Sequence, residues 1–509
     1  MVRPFLRKSS PRFWCVIMAI CISYGPARKS ARAGTAPDAK VGQVGPAAAQ
    51  TPQPAAKTPS AAPNVVGQIA DYVILKEEFV RRLTAELNPY AYESYSVKSE
   101  PVNARSVLEK MIAEKAMVIE ARKQNMLESE MLRTSIGEYR DRKLVNLLLQ
   151  KQLQSKLTVT PEEIEEKIKA DPNLDKARVR AVLERTKANQ LLDAYYKGIY
   201  EKSTVNKLTE NFAKAAQIHQ RLLYKPRAER KVGFIRDSQV RNELTEEEKN
   251  LVLATYSEGK ITLKDWFEKL CDFSPPSRPR DLGTEKGVER FLEIVLKMPL
   301  LASEAGRLGL DKDANLLKQV RGEEDRKLFG EAMTAKYNEV KEATDAQAAE
   351  YFSENKDLFI TGRTINIDQI WCADLATARK VKGELDDGAD FQSVKEKYSL
   401  QKDSKPFHTY PGSEGYFWKD LWKGEPNDVL GPLKGFYKEQ FKWRIVKVLQ
   451  KRPGQVKEYS DDMKNAVKRK IMSDKREALL QKYYKELLEK YPHKIYDDRI
   501  KGIDPLNIP

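Results

Sequence analysis

Side chains able to ligate a metal, shuttle a proton or attack a carbonyl are thinly spread through this chain. It has three histidines in 509 residues. His219 falls in a helical stretch among Lys and Gln, His408 in a loop, and His493 beside Pro492. None has the spacing of a zinc site or a Ser/His/Asp relay, and all three read as surface residues. There is no Gly-rich phosphate loop, paired-acid motif or G-x-S-x-G elbow, so neither a metal nor a cofactor is expected. Cys271 and Cys372, far apart in sequence, are no disulfide framework and read as buried or free thiols.

The patterning that remains lies between Ile365 and Val448. Alternation over Thr364 to Trp371 predicts a half-buried strand. A helix follows with Ala376, Ala378, Val381 and Leu385 on one face, ending at Gly388. Then come Gly388-Ala389-Asp390-Phe391, Val394 and Tyr398-Ser399, the glycines Gly412 and Gly415, Gly431-Pro432, and a last strand Trp443-Arg444-Ile445-Val446-Lys447-Val448.

This order resembles the parvulin-type peptidyl-prolyl isomerase domain, most specifically in its GADF…YS spacing and terminal strand. The resemblance implies an apolar proline pocket beside a polar cluster built on two histidines. Those histidine positions fall here on Gln369 and Arg444, and the family's Cys/Asp position falls near Lys402 or Asp403, with Asp403 the better candidate. Gln369 hydrogen-bonds, but Arg444 is a permanent cation that donates and never accepts, so the pair cannot rebuild a tautomeric network. Between Gly415 and Gly431, where the family carries a short helix that supplies its proline pocket, this chain is shorter than the family's pattern. Phe417, Trp418 and Trp422, with Phe441 and Trp443, are the substrate-binding candidates.

Around this region stands a duplication. Leu75-Lys76-Glu77-Glu78-Phe79 matches Leu263-Lys264-Asp265-Trp266-Phe267, and Glu120-Ala121 matches Glu304-Ala305. Asn125 and Gly309, the residue types that best tolerate a left-handed cap, follow at equal distance. Thr160-Pro161-Glu162-Glu163 aligns with Thr344-Asp345-Ala346-Gln347, each a capped helix start. Each copy reads as strand, helix, cap, helices, capped helix, a pattern that resembles the N-terminal chaperone region of SurA, PrsA and PpiC-type foldases. Trp266, Phe267 and Tyr72 read first as core and second as lining a client cradle. Ser460 caps a long helix with Met463, Val467, Ile471, Leu479, Tyr483 and Leu487 at fourfold spacing. That stripe must bury, and the resemblance implies that it returns to complete the N-terminal core.

The N-terminus reads differently. Basic residues precede an apolar run from Phe13 to Tyr24, and Ala31-Arg32-Ala33 offers a small-x-small cleavage site, a secretory pattern too short for an ordinary span. An uncleaved inner-membrane anchor and a lipoprotein through Cys21 are the alternatives. Residues 1–33 carry seven Lys or Arg and no acid, so their loss lowers the formal charge from +16 to +9. That mild charge, without an arginine-rich stripe, argues against a nucleic-acid partner.

The expected organisation is a signal peptide or anchor at 1–33 and an Ala/Pro-rich linker at 34–64. A helical repeat at 65–174, a helical insert at 175–259 and a second repeat at 260–358 follow. A parvulin-like domain at 359–453 and a C-terminal helix and tail at 454–509 complete an α+β, mostly helical protein. The leading functional reading is a periplasmic chaperone or foldase that binds unfolded envelope, outer-membrane or secreted polypeptides, its isomerase activity weak or lost. An active isomerase using Asp403, Gln369 and backbone groups, and a dedicated envelope assembly scaffold, are the alternatives.

Overall fold

A computed structural model of the chain describes residues 63–87, 102–171, 175–223, 233–438 and 440–504. The signal or anchor at 1–33, with Cys15 and Cys21, and nearly all of the linker lie outside the described residues. Helices dominate, with four small antiparallel sheets, so the fold is α+β and mostly helical. Among the described residues no helix is long and apolar enough to cross a membrane.

Both copies of the duplication begin with a β-hairpin. Val65–Ile69 pairs with Tyr72–Leu75, and Val252–Tyr256 with Gly259–Thr262, each through a two-residue turn. Helices Lys76–Leu87 and Leu263–Asp272 follow, then Ala104–Lys123 and Glu285–Arg307. Asn125 (φ 55°) and Gly309 (φ 70°) both take the left-handed conformation that turns the chain. The capped starts form as expected: Thr160 exchanges bonds with Glu163, and Thr344 with Gln347.

The chain divides into two compact units, and these cut across the stretches laid out along the sequence. One unit comprises residues 128–324 of the described chain. Its core joins helix Glu130–Leu153 of the first copy to the hairpin and helix Glu285–Arg307 of the second. Leu144, Val145 and Leu148 bury in one cluster with Phe291, Leu292 and Val295. The insert belongs to the same core: Phe212, Ala215 and Leu222 of helix Phe212–Leu223 pack there. The physical reason is that one hairpin and two helices bury too little by themselves, and each copy's third helix supplies the missing apolar face elsewhere.

His219 corrects the sequence reading. It is buried in this core, stacked on Phe267 and edge-on to Trp266, not on the surface. Burial, with the Arg278 charge second, pushes its imidazole down to about 4. Trp266 and Phe267 are fully buried core residues.

The second unit holds residues 63–127 and 325–504 of the described chain. The first hairpin and helices pack on Phe329, Met333 and Tyr337, and on Leu480, Tyr484 and Leu487 of the C-terminal helix Asp461–Lys490. Strand His493–Ile495 then adds to the hairpin edge, with Gly67 opposite Ile495 and Ile69 opposite His493. Tyr72 is half-buried here and donates its hydroxyl to Asp325 at 2.9 Å. The N-terminal half of the same helix buries Met463, Val467 and Ile471 against Ala348, Phe352 and Phe359. So the stripe serves two cores in succession: its own neighbour and the N-terminal hairpin.

Within this unit, residues 364–452 form a four-stranded antiparallel sheet in the order Phe407–Thr409, Thr364–Cys372, Gln440–Arg452, Val429–Tyr437. Helices Leu375–Asp386 and Phe391–Tyr398, N-capped by Asp374 and Asp390, cover one face. Short turns of helix between Pro411 and Leu421 cover the other.

Candidate functional site

Alternation along the two central strands decides what meets what. Ile365, Ile367, Gln369 and Trp371 share one face with Arg444, Val446 and Val448. Asp368, Ile370 and Cys372 share the helix face with Trp443, Ile445 and Lys447.

The first face carries the candidate site. Arg444, only 2% exposed, donates one Nη to Gln369 Oε1 at 3.0 Å and the other to Glu414 Oε2 at 2.6 Å. Thr409 donates Oγ to Glu414 Oε1 at 2.8 Å. The guanidinium lies 5.1 Å over the Trp371 ring, whose own face meets Tyr437. Gly435 makes room for it: a Cβ there would stand 2.7 Å from both Arg444 Nε and the Trp371 ring. Arg444 is therefore a buried cation with both terminal nitrogens committed, neutralised by an acid on the covering turn.

Two of the three catalytic candidates, Gln369 and Arg444, are thus brought together. The third, Asp403, is not: it sits exposed in the turn at 401–403, and the acid of the cluster is Glu414. The need for a buried acid was legible, since a cation in a strand interior requires a counter-charge, but nothing local marked Glu414 as that acid. The same logic applies on the helix face, where buried Lys395 pairs with Asp368 and donates to the Ser404 carbonyl at 2.5 Å.

The aromatic candidates divide. Phe417 and Trp418 are buried, Trp418 in the core with Ile365, Ile367 and Val448, so neither is open to a ligand. Trp422 is half-buried and stacks on Trp418 at 5.1 Å, with Lys451 over its ring at 4.6 Å. Phe441 is half-buried between Phe417 and Phe436. Trp443 lies on the opposite face, against the helices, and cannot join a site built on Gln369 and Arg444. Sequence reasoning passed over the exposed apolar groups nearby: Leu400, Phe407 and Tyr410 are 44%, 39% and 54% exposed. Phe407 stands opposite Ile367, two residues from Thr409 on the same strand.

The chemistry open to this cluster is limited. The Arg444 guanidinium donates and cannot accept a bond, and the Gln369 carboxamide is not a titratable acid or base. What the face retains is apolar surface around a rigid, charge-compensated centre. Cys372 is buried on the helix face of the same strand, its thiol pushed up to about 11 by burial and by Asp374.

No protein-family model matches the chain, and no curated protein matches it. Among solved structures it aligns with a SurA-like chaperone of Campylobacter jejuni, described with PEB4 and Cj1289, at 14% identity and a TM-score of 0.24, covering 47% of this chain and 98% of that one. It aligns with PrsA from Bacillus subtilis at 19% identity and a TM-score of 0.16, covering 41% and 78%. Foldase protein PrsA from Streptococcus pneumoniae aligns at 17% identity and a TM-score of 0.23, covering 37% and 72%. The chain is similar to SurA-like chaperones and PrsA foldases, at low identity and low overall superposition.

Proposed function

We propose that this protein is an extracytoplasmic chaperone that binds unfolded or extended polypeptides on a parvulin-type fold whose isomerase activity is weak or lost. The observation that carries the loss of activity is the state of Arg444: buried, and bonded through both terminal nitrogens to Gln369 and Glu414. Rotation about an X-Pro bond crosses a barrier near 18–20 kcal/mol, and catalysis needs groups that favour the twisted amide over the planar one. A cation already compensated has little field left for such an amide.

Client binding is supported by the exposed apolar residues Leu400, Phe407 and Tyr410 beside this centre. The secretory pattern at residues 1–33 supports the location. Outer-membrane or secreted proteins are the expected clients, and neither a cofactor nor a nucleic acid enters the reading.

The test is a protease-free proline isomerisation assay beside an assay of aggregation suppression, both on the full chain without residues 1–33. The expected result is suppression of aggregation with no acceleration of isomerisation. Robust isomerisation would overturn the reading, and so would failure to suppress aggregation.

A further inference from the structure

The unit comprising residues 128–324 holds a concave surface, a trough of about 680 Å³ between helices Glu130–Leu153, Leu263–Asp272 and Glu285–Arg307. Its charge runs against the rest of the molecule. Seven acidic and four basic side chains line it, whereas the whole chain carries a formal +16. Its floor is apolar, with Leu144, Ile261, Val295 and Met298 among the lining residues.

Two backbone features face the same space. Strand Gly259–Thr262 lies at the end of its sheet, paired among the described residues only with Val252–Tyr256, and Lys260 and Ile261 line the trough. Such an edge accepts a further strand through main-chain hydrogen bonds. Across from it, Pro299 inside helix Glu285–Arg307 has no N–H to give to the Val295 carbonyl, and both residues line the trough. The wall also holds its negative charge at a cost. Burial pushes the Glu268 carboxyl up, opposed by Lys264, while Asp265, Glu138 and Glu130 add to the rise.

We infer that this trough takes an extended polypeptide segment in which apolar side chains alternate with lysine or arginine, laid along the edge of strand Gly259–Thr262. In an extended segment successive side chains point to opposite sides. One set meets the apolar floor while the other reaches the acidic rim. The inference rests on the chaperone reading above and names the class of segment preferred.

The test uses the full chain without residues 1–33 and a labelled peptide of about ten residues, a length that spans roughly 33 Å when extended. Phe and Val alternate with Lys in one peptide, and with Glu in its counterpart. Fluorescence anisotropy at low salt is expected to show the lysine peptide binding at least tenfold more tightly. Glu138 and Asp141 carry exposed side chains on one helix, so Glu138→Lys with Asp141→Lys should fold normally and cut lysine-peptide affinity at least tenfold. Ala302→Trp, which fills the floor without changing charge, should weaken both peptides. Equal affinity for the two peptides, or unchanged affinity in both variants, overturns the inference. If aggregation suppression persists in that case, the chaperone reading stands without the trough. If the unsubstituted chain suppresses no aggregation, the chaperone reading itself fails.

Discussion

Replacing Glu414 by glutamine would leave the Arg444 guanidinium buried, 2% exposed, without its carboxylate. Removing one partner of a buried ion pair costs on the order of 3–5 kcal/mol, because the remaining charge stays desolvated. The substituted side chain keeps an amide oxygen within reach, which places this loss near the lower end, at about 3 kcal/mol. Arg444→Met removes the cation and keeps much of the side-chain volume over Trp371. It strands Glu414, 8% exposed, with Thr409 as its remaining donor, again at about 3 kcal/mol. The double variant buries no unpaired charge, so its cost should also be about 3 kcal/mol and not twice that, a coupling of about 3 kcal/mol. Urea titration followed by tryptophan fluorescence reads this region directly, because Trp371, Trp418, Trp422 and Trp443 are four of the six tryptophans. Strict additivity of the two losses, or a neutral Glu414→Gln, would refute the claim that Arg444 is consumed by this pair. Aggregation suppression by the double variant should match that of the unsubstituted chain.

Other perturbations follow from the same structure. His219 is held neutral with its pKa pushed down to about 4, so in the unfolded chain, near 6.5, it takes up a proton first. Its contribution is complete above about pH 6.5 and is lost as the pH falls toward 4. It amounts to about 2 kcal/mol of lost stability by pH 5, a dependence that His219→Phe should flatten in urea titrations at pH 7.5 and 5. Gly435→Ala drives a methyl against Arg444 Nε and the Trp371 ring and should cost about 1–3 kcal/mol, read as a lower urea midpoint and altered near-ultraviolet circular dichroism. Ending the chain after Lys490 removes Tyr491 and Ile500 from the core and strand His493–Ile495 from the hairpin edge. The loss should be about 4 kcal/mol, with faster amide exchange at residues 65–69 as the specific sign.

Much of the architecture is written in local signals. The GADF turn, with Gly388 at φ 92° and Asp390 capping helix Phe391–Tyr398, forms as its residues indicate. So do the left-handed Asn125 and Gly309, the threonine caps and the first half of the stripe on the last helix; its second half buries Leu480 and Tyr484 more deeply than the expected Leu479 and Tyr483, and each expected strand is one arm of a hairpin. Each depends on residues within a few positions of one another, and period and cap chemistry report such contacts faithfully. Strand alternation also puts adjacent Trp443 and Arg444 on opposed faces, a local signal that the assignment of Trp443 to the site passed over.

Tertiary structure alone decided the long-range pairings. It sent helix Glu130–Leu153 into the core of the second copy's hairpin, and buried His219 against Trp266 and Phe267. It also chose Glu414, 30 residues away, as the counter-charge for Arg444, and left Asp403 outside the cluster. A sequence states that an apolar stripe must be covered or a buried cation neutralised. Which distant segment does so depends on how chain closure brings complementary surfaces together, and no local period encodes that choice.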